Sequence, residues 1–278
     1  MATEVWVPDT YLRFEMSRTR GAADLLAQVS HPGPRLIIDL GCGPGNNTEL
    51  IARRWPDALV IGVDKSPAMV AAARERERPG HLEFRQADIV EWQPDEPADI
   101  VLLNAVLQWI PGHASLVPRF AAMLAPGGVL GLQVPGTPSG RKGTPPDNFA
   151  AIACEMAREP RWRDQLGEMY ADSELPAAMD YIAALEGAGL RPDVWETWYT
   201  YPMAGTGRLT EYASGSVLQP ALAALAPDEA ERFLAEFSRR ASQVFPPRLI
   251  CGESAEVIRA YRVFAVGQSG RPNRNSSA

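Results

Sequence analysis

Lysine is almost absent from this chain: Lys65 and Lys142 are the two in 278 residues, and arginine carries the rest of the positive charge. Acidic residues outnumber basic ones by 34 to 27, giving a net charge of −7 at neutral pH and a pI near 5.1. Such a balance argues against a general grip on nucleic acid or anionic membrane, which needs clustered cations. Cysteine is equally sparse. Cys42, Cys154 and Cys251 are odd in number and far apart, so neither a disulfide framework nor a zinc site follows. His31 and His81 stand beside proline or glycine in loops, and no metal site is expected. Also missing are any apolar run of about 18 residues and any secretory leader pattern, so the expectation is a soluble, cytoplasmic protein. The phosphate-binding pattern G-x-x-x-x-G-K-[ST] does not occur.

What is present begins at Leu36-Ile37-Ile38, an apolar run that leads into Asp39-Leu40-Gly41-Cys42-Gly43-Pro44-Gly45-Asn46. A buried strand here hands over to a helix through a glycine-rich turn. Gly41, Gly43 and Gly45 permit positive φ and a close approach of backbone to ligand. The helix expected from Asn46 points its free N–H groups at whatever lies over the turn. Leu59-Val60-Ile61-Gly62-Val63 reads as the next parallel strand and ends in Asp64. An acid about 20 residues past the glycines is placed to accept the ribose hydroxyls of an adenosine ligand. Lys65-Ser66-Pro67 then opens a helix, with Ser66 as N-cap and Pro67 at N1. Met69 falls on its first turn, against an adenine face or in ordinary helix packing. The third piece is Phe84-Arg85-Gln86-Ala87-Asp88-Ile89, where an acid and a following N–H can read an adenine amino edge.

A dinucleotide site would need G-x-G-x-x-G straight out of a strand, but here the pattern is G-x-G-x-G with Asn46 where the third glycine should stand. The order of Asp39, Gly41-Cys42-Gly43-Pro44-Gly45, Asp64 and Asp88 resembles class I S-adenosylmethionine-dependent methyltransferases. Further segments are similar to the trans-aconitate 2-methyltransferase family: Tyr11-Leu12-Arg13-Phe14 with Arg18 and Arg20, Trp92-Gln93-Pro94, and Leu107-Gln108-Trp109-Ile110-Pro111 with His113. Tyr199, Pro202-Met203 and Phe245-Pro246-Pro247 extend it. The likeness is dense over 9–135, patchy over 190–267 and poor over 136–180. It implies S-adenosylmethionine as cofactor and a Rossmann-like, doubly wound α/β sheet of seven strands with helical lid insertions. It also implies methyl transfer to a carboxylate of a small organic acid. Methylation at carbon, nitrogen or oxygen of a biosynthetic intermediate, or a binding or cyclising role without transfer, stays open.

Later segments fit that architecture. Residues 99–103 read as the fourth strand, 114–124 as an amphipathic helix, 129–134 as the fifth strand and 180–188 as a covering helix. Residues 193–201 and 256–266 close the sheet as a pair that the resemblance makes antiparallel. Helices are expected near 149–158, 208–217 and 228–244. The expected division is an N-terminal segment closing over the donor (1–30), the donor core (31–135), a lid insertion (136–178), a core helix and strand (179–203), a second lid insertion (204–250), the last core strand (251–267) and a disordered tail (268–278). Surface decoration is the alternative to lids.

The donor set comprises Asp39, Gly41, Gly43, Gly45, Asn46, Asp64, Lys65, Met69, Asp88, Ile89, Asn104 and Arg18. A carboxylate acceptor is ionised at pH 7 and needs no general base, only donors to aim it. Arg208, Arg262, Tyr11, Phe14, Trp109 and Gln219 are the candidates for holding it. Tyr11, Gln108, Trp109 and His113 are the catalytic candidates. Gln219 lies in Val217-Leu218-Gln219-Pro220, where the family typically reads Gly-Leu-Arg-Pro. Asn104-Ala105-Val106-Leu107 lacks the Pro-Pro-aromatic cluster of amino-methylating enzymes that act on nucleic acids. The acceptor is therefore a small molecule, with the chain as monomer or homodimer.

Overall fold

Apolar runs bounded by glycine and proline become strands buried on both faces. In the computed structural model, which describes residues 14–136, 149–170 and 176–270 (backbone alone for 15–18), β1 (Leu36–Leu40) is buried along its whole length. Around it lie β2 (Leu59–Asp64), β3 (Leu82–Gln86), β4 (Ala98–Asn104) and β5 (Leu124–Pro135), these five pairing parallel with one another. With β6 (Leu190–Ala204) and β8 (Glu253–Ser269), the order is β3-β2-β1-β4-β5-β8-β6, and the short β7 (Arg248–Ile250) pairs antiparallel with β8. The expected α/β class and seven-stranded doubly wound sheet are found, with β7 as an unanticipated eighth strand.

The chain falls into two compact units: residues 16–135, 176–196 and 263–278 in one, and 1–15, 136–175 and 197–262 in the other. In the first, β1 to β5 carry α1 (Glu15–Gln28), α2 (Asn46–Arg54), α3 (Pro67–Arg74), α4 (Val117–Ala121) and α7 (Ala178–Gly187), α7 taking its number from chain order. Helix α1 lies close against β5. An added Cβ at Gly131 would come within 3.2 Å of Val29 Cγ2 and 3.6 Å of Leu25 Cδ1, and one at Gly21 would sit 3.5 Å from Gln133 Oε1. Ser66 caps α3 as expected, its hydroxyl accepting the Met69 N–H at 3.2 Å.

Two expectations in this unit change. The helix foreseen over 114–124 is a 3-10 turn (His113–Leu116) followed by the short α4. Pro118 has no N–H to continue a helical ladder begun at 114, so the helix restarts beside it. The fifth strand begins at Leu124 rather than 129. Between the pairs Ala98↔Leu124 and Ile100↔Val129 the register shifts, and the Pro126-Gly127-Gly128 turn is looped out within the strand.

The second unit is largely helical: α5 (Ala150–Ala157), α6 (Arg163–Leu166), α8 (Arg208–Ser214), α9 (Gln219–Ala224) and α10 (Pro227–Val244). Phe233, Phe237 and Ala241 recur every four residues along α10 and form its buried stripe. Trp162 meets Phe233 edge-on at 5.0 Å. Helix α8 ends three residues short of the expected 217, with Gly215 as its C-cap, and α9 was not foreseen. The expected strands 193–201 and 256–266 are both longer, as β6 and β8. Of the expected disordered tail, residues 271–278 lie outside the described residues, while 268–269 belong to β8. No helix among the described residues is long and apolar enough to cross a membrane.

Candidate functional site

The turn after β1 is fixed by its own backbone. Gly41, Gly43 and Gly45 have φ of 77°, 54° and 81°, where a side chain would be strained. A Cβ at Gly41 would collide with Val106, and one at Gly45 would lie 2.8 Å from Phe84; beside Gly43 there is open space. The N–H groups of Gly41 and Cys42 both donate to the Val63 carbonyl, tying the turn to the end of β2. Asp64 completes the tie: its carboxylate accepts the Gly43 N–H through one oxygen and the Ser66 N–H through the other, each at 2.9 Å. Burial raises the Asp64 pKa, while those N–H groups and Lys65 oppose the shift.

Asp39, fully buried below the turn, accepts the Thr48 hydroxyl at 2.7 Å. Burial pushes its carboxyl up to about 6; Thr48 pulls against that and Asp64 adds to it. Cys42 is buried, and burial raises its thiol well above the ordinary range, which fits a packing residue.

The carboxyl ends of β4 and β5 gather side-chain amides. Asn104 and Gln133 stand opposite each other in register. Among the described residues, Asn46 Oδ1, Asn104 Oδ1, Gln108 Oε1 and Gln133 Nε2 are buried atoms with no hydrogen-bond partner. Each such atom costs about 1–3 kcal/mol when left unpaired. Directly after Asn104, Ala105 takes φ of 56°, a conformation strained for a residue with a Cβ. Its N–H donates to the Gln133 carbonyl at 2.8 Å, and the Gln108 amide donates to the Ala105 carbonyl at 2.6 Å. A glycine cradle, an acid at the next strand end and orphaned amides at the next two suit an adenosyl amino-acid ligand.

Other expected residues are placed as follows. Met69 is 3% exposed on the first turn of α3. Asp88 is exposed and its side chain accepts the Val90 N–H; Ile89 is buried and Lys65 exposed. Trp109 is 37% exposed on a 3-10 turn after β4. His113 has both ring nitrogens engaged, one with the Ile110 carbonyl at 3.1 Å and the other with the Tyr181 hydroxyl at 2.7 Å, which joins this turn to α7. Arg18 lies on α1, its side chain outside the described residues, and Tyr11 lies wholly outside them.

The second unit holds the remaining candidates. Phe14 meets Tyr212 edge-on at 5.3 Å, and Phe149 meets the same ring at 5.8 Å. Arg208 is exposed and committed to Glu211 at 2.8 Å. Arg262 is half-buried on β8 and makes no ion pair among the described residues. Gln219 is 4% exposed, and neither end of its amide has a partner among the described residues. Glu256 is buried but satisfied, accepting the Gly207 and Leu209 N–H groups at the start of α8.

Sequence reasoning missed Thr19, Thr48 and Gln133. The Thr19 hydroxyl accepts from the Asn46 amide at 3.4 Å. Gln133 did carry a signal, since it is polar within the apolar stretch Val129 to Val134.

Comparison with known proteins adds a second line of findings. A family described as Methyltransferase domain matches residues 37–128. A Trans-aconitate 2-methyltransferase from Methylobacterium radiotolerans is 40% identical, over 95% of this chain and 98% of its own. One from Streptomyces coelicolor is 43% identical, over 82% of this chain and 75% of its own. Among solved structures, the YcgJ protein from Bacillus subtilis superposes with a TM-score of 0.59 at 15% identity, covering 91% of this chain and 99% of that one, and supports the fold alone.

Proposed function

Because this chain belongs to the trans-aconitate 2-methyltransferase family, within the class I S-adenosylmethionine-dependent methyltransferases, we propose that it esterifies a carboxylate of a small organic acid. It is a methyltransferase, and S-adenosylmethionine supplies an electrophilic methyl group on a sulfonium. The residues suit that cofactor: Asp64 for the ribose hydroxyls, the Gly41–Gly45 turn for close backbone approach, and the orphaned amides for its polar groups. Two acids, the buried Asp39 and the half-buried Asp64, balance a cationic ligand.

The near full-length likeness to enzymes named for trans-aconitate carries the acid assignment. Arg262, half-buried without an ion pair among the described residues, supports it, since a guanidinium can bind a carboxylate through two hydrogen bonds. The acceptor's recognition is assigned to the second unit, which holds Arg262 and Gln219. A carboxylate nucleophile is ionised already, so the chain need only orient it. His113, with both nitrogens occupied, is then not required as a base.

Gln219 favours a second reading. A buried amide with both ends unpaired offers one donor side and one acceptor side, which fits an acid that bears a neutral polar group and is methylated at carbon, nitrogen or a hydroxyl oxygen. Methyl-labelled donor incubated with trans-aconitate and a panel of acids separates the readings. Label in a base-labile ester is the expected result. Label in a base-stable methyl group favours the second reading, and tight donor binding without transfer to any acid contradicts both.

A further inference from the structure

We infer that Gln133 is a donor-binding residue whose amide N–H pairs with the carboxylate at the amino-acid end of S-adenosylmethionine. The inference rests on the donor reading of the cradle and adds to it a residue on β5.

Gln133 is 2% exposed in a strand whose neighbours Val129, Leu130, Leu132 and Val134 are all buried. A polar side chain in such a strand destabilises the fold unless it is paired. Its backbone carbonyl is used, accepting the Ala105 N–H at 2.8 Å. Its side-chain Nε2 has no partner among the described residues. Helix α1 roofs the amide: a Cβ added at Gly21 would sit 3.5 Å from Oε1, in ordinary van der Waals contact. The side chain is thus held between strand and helix with its donor end unsatisfied.

The surroundings say what fills that end. Helix α1 also carries Thr19, whose hydroxyl accepts from Asn46 at the start of α2, so one helix ties the β5 end to the glycine turn. Along the order β2-β1-β4-β5, Asp64 and Gln133 lie three strand spacings apart, about 14 Å. Asn46 and Asn104 fall between them, each with an orphaned carbonyl oxygen. An amino-acid group supplies the complementary set: ammonium N–H donors for the two carbonyls and a carboxylate for the Gln133 N–H.

Calorimetry on the full chain with S-adenosylhomocysteine and 5′-methylthioadenosine, which lacks the amino-acid end, tests this. Gln133→Leu should weaken S-adenosylhomocysteine roughly tenfold while leaving methylthioadenosine within about twofold. Gln133→Glu, which keeps the shape and sets a carboxylate against a carboxylate, should weaken S-adenosylhomocysteine further and spare methylthioadenosine. Unchanged binding in Gln133→Leu, an equal loss for both ligands, or tighter binding in Gln133→Glu overturns the inference. If Gln133→Leu does not fold, Gln133→Glu decides by the same two-ligand ratio. Failure of the unmodified chain to bind S-adenosylhomocysteine would instead overturn the donor reading, and this inference with it.

Discussion

The two units handle buried polarity differently. In the unit with the parallel strands, Asn46, Asn104, Gln108 and Gln133 hold orphaned atoms beside a turn fixed by backbone hydrogen bonds and positive φ angles. In the other, Glu256 is saturated by two N–H groups while Gln219 has both ends unpaired. The first is shaped by backbone, so most substitutions nearby leave its form intact. The second is shaped by individual side chains, so one change there alters its buried polarity. Under the proposed function, the first unit has the single task of holding the donor and the second is free to vary with the acceptor.

Glycine substitutions should break the comparison most sharply. Gly41→Ala puts a Cβ into Val106 at φ of 77° and should cost about 2–4 kcal/mol and abolish donor binding. Gly207→Ala in the other unit, at φ of 75° with open space around it, should cost about 1 kcal/mol and leave donor affinity unchanged. Urea denaturation and calorimetry read both. Equal effects would mean that the two turns do the same job.

Next in size, Asp64→Ala should weaken donor affinity by about 1.5–3 kcal/mol through loss of a charged hydrogen bond. Acceptor KM should stay within about twofold. Unchanged donor affinity would remove Asp64 from the site.

The mirror experiment in the second unit is Gln219→Arg. A charge-assisted contact should raise kcat/KM for a tricarboxylic acid about tenfold and leave S-adenosylhomocysteine affinity alone. A matching change in donor affinity would contradict the separation of tasks.

The smallest effect is one of pH. Asp39 has its pKa raised from 3.8 to about 6, so the ligand-free fold binds this proton more tightly than the unfolded chain does. Its contribution to stability is present below about pH 4 and is lost as pH rises through 6. A sulfonium cation favours the ionised carboxyl. S-adenosylmethionine should therefore bind about threefold tighter at pH 7.5 than at 5.5, with less change for S-adenosylhomocysteine, which lacks that charge. Asp39→Asn should flatten the difference; its persistence would assign the effect to another group.

How much was legible in the sequence follows the same division. The turn from Gly41 to Gly45, Asp64 at a strand end and the strands around them were readable because glycines, strand-end acids and apolar runs are local signals. The broken helix at Pro118 and the loop within β5 escaped because periodicity alone does not register a missing N–H or a shifted ladder. Gln133 and Thr19 escaped for another reason. Their roles depend on α1 lying over β5, a packing fact that no local pattern along the chain records. In the second unit, the commitment of Arg208 to Glu211 and the isolation of Gln219 are products of tertiary packing, so spacing along the chain could not separate a paired arginine from an open amide.

Amide hydrogen exchange on the whole chain with and without saturating S-adenosylhomocysteine addresses the central claim most directly. Exchange should slow at residues 41–46, 64–66 and 104–108, with α10 unaffected. Unaltered exchange at the glycine turn under saturating ligand would contradict it.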